Sequence, residues 1–273
     1  QSDSALNNVV KRWIYNAPRK YVVEQAYDEN NGVLCGIVSS DKVYEHILSN
    51  NPKNLGDIIE GQSFVIDGMK VTIISPDVDK LNQLREKYSN HRPLCKSEID
   101  KASVEAGSVM DDYFIPLQKF NLDYFQEDTS VENASSIAAV FEYDDKRILW
   151  LSDSVPSVVM KSLFMLGFSE TNKMYCDAVL LSHHGSAANN SLALLRMIQA
   201  DKYIISADGM NGHCLPNKET IARIVSASSN LPVTLYFNYE DGRLIKMFKS
   251  DAQEDVKSRI DVHYLKDMEA IEF

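Results

Sequence analysis

Three short apolar runs in the second half of the chain each end abruptly on a polar segment, and this constrains the fold most. Arg147–Leu151 (RILWL) runs into Ser152-Asp153-Ser154, and Ala178–Leu181 (AVLL) into Ser182-His183-His184-Gly185-Ser186. Tyr203–Ser206 (YIIS) runs into Ala207-Asp208-Gly209, with His213 shortly beyond. Four or five apolar residues bounded by polar ones are too few for a helix and read as strands, the last two as buried ones. Residues just past the ends of neighbouring strands converge on one edge of a sheet, where binding and catalytic groups are commonly built. A polar group at three successive strand ends is therefore a candidate site.

The remaining pattern alternates helices with strands. Ser39–Asn50 reads as a helix, and Phe64–Ile66 and Val71–Ile74 as a hairpin about Asp67-Gly68. Asp79–Tyr88 is expected to be helical, Ser136–Tyr143 a strand that turns at 144–146 into 147–151, and Val155–Leu166 a helix. Helices are expected over 191–199 and 218–226, and Val233–Asn238 is expected to form a hairpin with Arg243–Phe248 across Asp241-Gly242. Lys11–Asn16 alternates and reads as a strand. The class is α/β or mixed α+β. Residues 89–132 show little periodicity and read as a surface insertion, a partly disordered loop or a substrate-covering lid.

Composition matters at three points. A net charge of −11 argues against a broad basic surface for duplex nucleic acid, while leaving room for a local phosphate site. No apolar run approaches the roughly 20 residues that span a bilayer, and no signal-peptide pattern opens the chain, so no membrane insertion and a cytoplasmic location are expected. Cys35, Cys95, Cys176 and Cys214 form no C-x-x-C pair, which favours free thiols over disulfides or a zinc knuckle.

Asp153 with His183, His184 and His213 is a carboxylate-plus-imidazole set suited to Zn²⁺, Mn²⁺ or Fe. Gly185 and Ser186 would let the backbone turn sharply beside such an ion. Plainer readings exist for each residue taken alone. Asp153 could cap the helix that begins near Val155, and a single loop histidine is usually a surface group. His46 reads as partly buried packing, and His91 and His263 as surface residues.

The order Asn133-Ala134-Ser135-Ser136-Ile137, RILWLSDS, AVLLSHHGS and ISADGMNGHCLP resembles the later half of metallo-β-lactamase-fold proteins of the DNA-uptake (competence) type. The likeness is best from Asn133 to about Val225 and looser back to Lys11, and does not cover residues after about Ser250. It implies an αββα sandwich domain over residues 1–250, with the insertion at about 89–132 and a C-terminal extension at 251–273. It implies a metal-dependent hydrolase, of phosphodiesterase or nuclease type, holding one or two divalent ions, Zn or Mn. Asp153 would bind or bridge the ions and His183 or His184 would complete the shell. His213 would donate a proton or contact phosphate. Asn133, Ser135, Ser136 and Ser186 would line the substrate. A nucleotide or single-stranded nucleic acid is the implied ligand. Two departures stand out: Ser152 replaces the family's Gly before the Asp, and the G-H-P signature is interrupted as Gly212-His213-Cys214-Leu215-Pro216.

The family's first signature, H-x-H-x-D-H, does not occur in this sequence. The resemblance therefore implies a domain lacking its first strands and metal-binding loop, completed by an upstream segment or separate polypeptide. The alternative is a catalytically inactive binding or regulatory module on the same scaffold.

Overall fold

The structure, a computed structural model, describes residues 13–18, 35–50, 56–89, 111–209, 213–266 and 269–272. The chain divides into two compact units. One comprises residues 1–58 and 78–108, the other 59–77 and 109–273.

The described parts of the first unit are chiefly two helices, α1 (Cys35–Asn50) and α2 (Val78–Ser89). Both match the sequence expectation. Residues 13–16, the described part of the expected strand at 11–16, have no strand conformation. The Asn16 amide takes over the role of a ladder partner, donating to Ile58 O at 2.7 Å and accepting from Ile58 N at 2.8 Å. His46 packs edge-on against Trp13, with ring centroids 6.0 Å apart.

The second unit is built on one eight-stranded sheet whose spatial order follows chain order. The strands are β1 (Ser63–Ile66), β2 (Met69–Ser75), β3 (Ala138–Tyr143), β4 (Lys146–Trp150), β5 (Met174–Leu180), β6 (Ile198–Ile205), β7 (Val233–Phe237) and β8 (Ile260–Tyr264). The first four pair antiparallel, and β4 to β8 pair parallel. The change of direction follows from the connections. Asp67-Gly68 and Asp144-Asp145 all have positive φ, as the tightest hairpin turns require. From β4 onward each link carries a helix and crosses over: α4 (Pro156–Met165), α5 (Leu192–Arg196), α6 (Lys218–Ala227) and α7 (Gln253–Arg259). The short α3 (Val131–Ala134) precedes β3. This is the mixed α/β class expected from the sequence. The described residues contain no second sheet.

Register places two transverse rows across the parallel half. Leu149, Val179, Tyr203 and Leu235 are aligned, all buried, and belong to the main core with α4, α5 and α6 residues such as Val159, Leu195 and Ile221. The next row, on the other face, is Trp150, Leu180, Ile204, Tyr236 and His263. Its first member is 48% exposed, and Leu180, Ile204 and Tyr236 are only half-buried.

Further expectations, in the second unit, differ from the structure. Residues 243–248 are not a strand. Successive turns there bond Ile245 N to Asp241 O and Met247 N to Leu244 O, because the buried pair Leu244 and Met247 is spaced by three. The partner of β7 is instead β8, inside the stretch read as an extension. Of the stretch read as an insertion, 90–110 lies outside the described residues. The rest is stitched into the second unit: Tyr113 and Leu117 are buried in its core, and the Asp112 carboxylate accepts from Lys218 N and Glu219 N at the start of α6. No described helix is long and apolar enough to cross a membrane.

Candidate active site

The site forms where β4 and β5 end. Asp153 lies in the turn after β4, half-buried. It is not the cap of α4: that helix begins at Pro156, its N-cap is Val155, and no side chain caps it there. The free N–H of Ser157 is taken instead by Glu127, from a distant loop, at 2.7 Å. The capping reading of Asp153 thus falls away.

The loop after β5 is tightly bent. His183 and His184 both have positive φ (44° and 58°), followed by Gly185 at 83°. Ser152, at the neighbouring strand end, has φ 53° and accepts a hydrogen bond from His183 N at 2.8 Å. A Cβ on Gly185 would meet Pro216 Cβ at 2.8 Å, so only glycine fits between the loop and the segment leading to α6. Outside hairpin turns, positive-φ non-glycine residues among the described ones occur only at Ser152, His183, His184 and Cys214. Strain of this kind concentrates at functional sites and persists only where the surroundings over-determine it.

Two fully buried asparagines impose that bend. Asn190 donates to Ser182 O and Ser186 O, both at 2.8 Å, and accepts from Ser182 N at 3.1 Å, closing the loop at its two ends. Asn189 places its Oδ1 3.1 Å from His183 Nδ1 and its Nδ2 3.1 Å from Asp128 Oδ2. Arg223 of α6 donates to Ala187 O and Asn190 O, on either side of Asn189. The sequence reading missed Asp128, Asn189, Asn190 and Arg223. The available signal was the Asn-Asn pair closing a loop that contains two histidines, just before the Ser191 that caps α5.

Asp128 anchors the polar cluster. Burial alone would raise its carboxyl. Hydrogen bonds from Asn133, Ser130 N and Asn189, with His183 nearby, outweigh burial and hold it below the ordinary carboxylate range. Asn133 donates to it at 2.6 Å and lies 3.3 Å from His183 Nδ1, so its side chain faces the carboxylate and imidazole. Ser135 and Ser136 both donate to Glu132 O, and Ser186 Oγ accepts from Ala188 N. Those three hydroxyls hold the local backbone.

His183 and His184 stand with ring centroids 5.9 Å apart. His184 is exposed, with Nδ1 against Ser206 O. His213 is exposed on the loop after β6, next to residues 210–212, which lie outside the described set. Asp153, His183 and His184 are chemically apt metal donors. Among the described residues, however, no three His, Cys, Asp or Glu side chains come together as an ion would require. His183 lines an open cleft of about 560 Å³, walled by Glu127, Asp128, Asn189, Glu219 and Arg223. Arg223 is already bound by carbonyls and by Glu219, so the cleft is acidic in balance. Cys176 and Cys214 form no disulfide among the described residues, and Cys176 is buried.

No protein-family model matches the chain, and no curated protein matches it. Among solved structures the chain is similar to one described as "Crystal Structure of a New Diphosphatase from the PhnP Family". The two share 20% sequence identity over 53% of this chain and 43% of that one, with a TM-score of 0.23. The chain thus spans less than half of that structure's length, and a likeness of this extent decides nothing about the site.

Proposed function

We propose that this chain carries part of the catalytic edge of a hydrolase of the metallo-β-lactamase type, acting on a phosphodiester such as a nucleotide or a short single strand. The observation that carries the reading is the set of left-handed residues, Ser152, His183 and His184, at the ends of β4 and β5. They coincide with the SDS and HHGS segments on which the sequence resemblance rests. Asp153 and the two imidazoles are the groups offered to a substrate or ion at that edge, and His213 keeps the role of a nearby proton donor or phosphate contact.

The electrostatics favour dependence on a divalent cation, Zn or Mn. A phosphate entering a cleft walled by Glu127, Asp128 and Glu219 meets like charge, and Arg223 is already engaged. The described donors do not close around an ion by themselves, so the reading also requires donors from beyond them. A covering polypeptide layer belongs to the same proposal. Parallel strands are normally covered on both faces, and the row from Trp150 to Tyr236 is only half-buried among the described residues. An upstream segment or separate chain would supply both the cover and the donors.

The test is turnover of a simple chromogenic phosphodiester with Mn²⁺ or Zn²⁺ present, using the longest natural form of the protein. Asp153→Ala and His183→Ala are expected to lose activity by roughly 10²–10⁴-fold. Turnover within a few-fold of the parent in both variants would sink the assignment.

One observation favours a second reading, a binding or regulatory module without catalysis. It is the lack of a three-donor group among the described residues. Under that reading the full-length protein, offered Zn²⁺ and Mn²⁺, binds neither at the stoichiometry of a site and hydrolyses nothing.

A further inference from the structure

The Asp128, Asn133 and Asn189 cluster does more than fill space beside His183. Asn189 is wholly buried, and the orientation of its amide is set by its surroundings. One end faces three oxygens: Asp128 Oδ2 at 3.1 Å, Asp153 O at 3.3 Å and Ser154 O at 3.4 Å. Only an NH₂ group suits that end. The opposite end, which faces His183 Nδ1 at 3.1 Å, is therefore the carbonyl oxygen. An oxygen there needs a proton on Nδ1. The Asp128 carboxylate, 3.6 Å from the same nitrogen, favours that proton as well. One contact opposes it: Asn133 Nδ2 lies 3.3 Å from Nδ1. That amide already donates to Asp128 at 2.6 Å, a shorter and charge-assisted bond, so its second contact is the weaker one. One acceptor at 3.1 Å, aided by the field of a carboxylate 3.6 Å away, outweighs a donor at 3.3 Å that is already committed to Asp128.

We propose that Asp128 and Asn189 are positioning residues that hold His183 in its Nδ1–H form, leaving Nε2 as the lone-pair nitrogen. A solvated imidazole favours the other tautomer, with the proton on Nε2. The cluster thus reverses the intrinsic preference and makes Nε2 the atom that can accept a proton or bind an electron-poor centre. This deepens the reading of the same site given above but does not need a substrate or a metal to be examined. Arg223 supports it indirectly, by holding Ala187 O and Asn190 O on either side of Asn189.

The test is the ¹⁵N spectrum of the imidazoles in the full chain, without substrate or metal, at a pH where the His183 ring is neutral. His183→Gln identifies the signals. In the parent protein Nδ1 is expected to be protonated and Nε2 bare. In Asn189→Ala the Nε2–H form is expected to become the major one, and in Asp128→Asn the Nδ1–H population is expected to fall. Where Asn189→Ala does not fold, Asp128→Asn decides alone. An Nε2–H tautomer in the parent overturns the proposal. So does an unchanged Nδ1–H tautomer in every folded variant. A purely structural cluster would move the melting point but not the tautomer. A controlled tautomer in a protein that hydrolyses nothing would defeat the hydrolase reading and leave this one standing.

Discussion

Gly185 shows how much one residue decides at this site. Its φ of 83° and the 2.8 Å approach of Pro216 leave no room for a side chain, and the loop it ends carries both histidines. Gly185→Ala is expected to cost about 1–3 kcal/mol of stability, the usual range for a forced left-handed residue. Denaturant unfolding with an unchanged slope would confirm it, and an unaltered midpoint would count against the geometry. The same scale separates the two histidines. His183 is held by side chains of a partly buried cluster, whereas His184 makes its Nδ1 contact with one backbone carbonyl and stays exposed. The pair is visible in the sequence, but the difference between its members is created by Asn189 and Asp128, which approach only when the loop closes.

At the scale of elements, the antiparallel half of the sheet is tied by a charged trio across β2, β3 and β4. Glu142 accepts from Lys70 at 2.9 Å and from Arg147 at 2.7 Å. The hydrogen bond from Lys70, then that from Arg147, holds its carboxyl below the ordinary 4.5. A carboxyl depressed on folding stabilises the fold above its unfolded value and loses that contribution as pH falls through the folded one. Glu142→Gln is therefore expected to be less stable than the parent above about pH 4.5, by about 1 kcal/mol or less, since the trio is partly solvated. The gap should close in more acidic solution. A gap that persists unchanged at lower pH, in urea titrations run across the range, would show that the carboxylate charge is not its source. The crossover elements tell a different story. Helix α6 starts on the Asp112 carboxylate, supplied from a segment that reads as a loop because its apolar residues follow neither helical nor strand spacing.

For the molecule as a whole, the two faces of the parallel sheet are unequal. Leu235 lies in the fully covered row, and Leu235→Ala is expected to destabilise the second unit by about 2–5 kcal/mol. Val65, 69% exposed on the outermost strand, should tolerate Ala within about 0.5 kcal/mol. Paired denaturation curves check this contrast, and equal costs at the two positions would contradict the packing described. The half-covered row from Trp150 to Tyr236 marks where a further layer would add stability.

Much of this architecture is legible in the linear pattern. Short apolar runs ending on SDS and HHGS announce strands with a polar edge. Asp-Gly and Asp-Asp announce hairpins, because positive φ is inexpensive there, and the alternation of periods announces a mixed α/β class. These are local properties, set by each residue's neighbours in the chain. What only the tertiary structure decided is non-local. β7 pairs with β8, not with 243–248, because Leu244 and Met247 are buried by a turn that local propensity does not reveal. Asp153 is released from capping because Glu127 reaches α4 from another loop. Asp128, 55 residues before His183, meets it only after β4 and β5 lie side by side. The chemistry of the edge depends on these distant encounters, since a hydrogen bond needs two groups within about 3 Å, and spacing along the chain does not determine that distance.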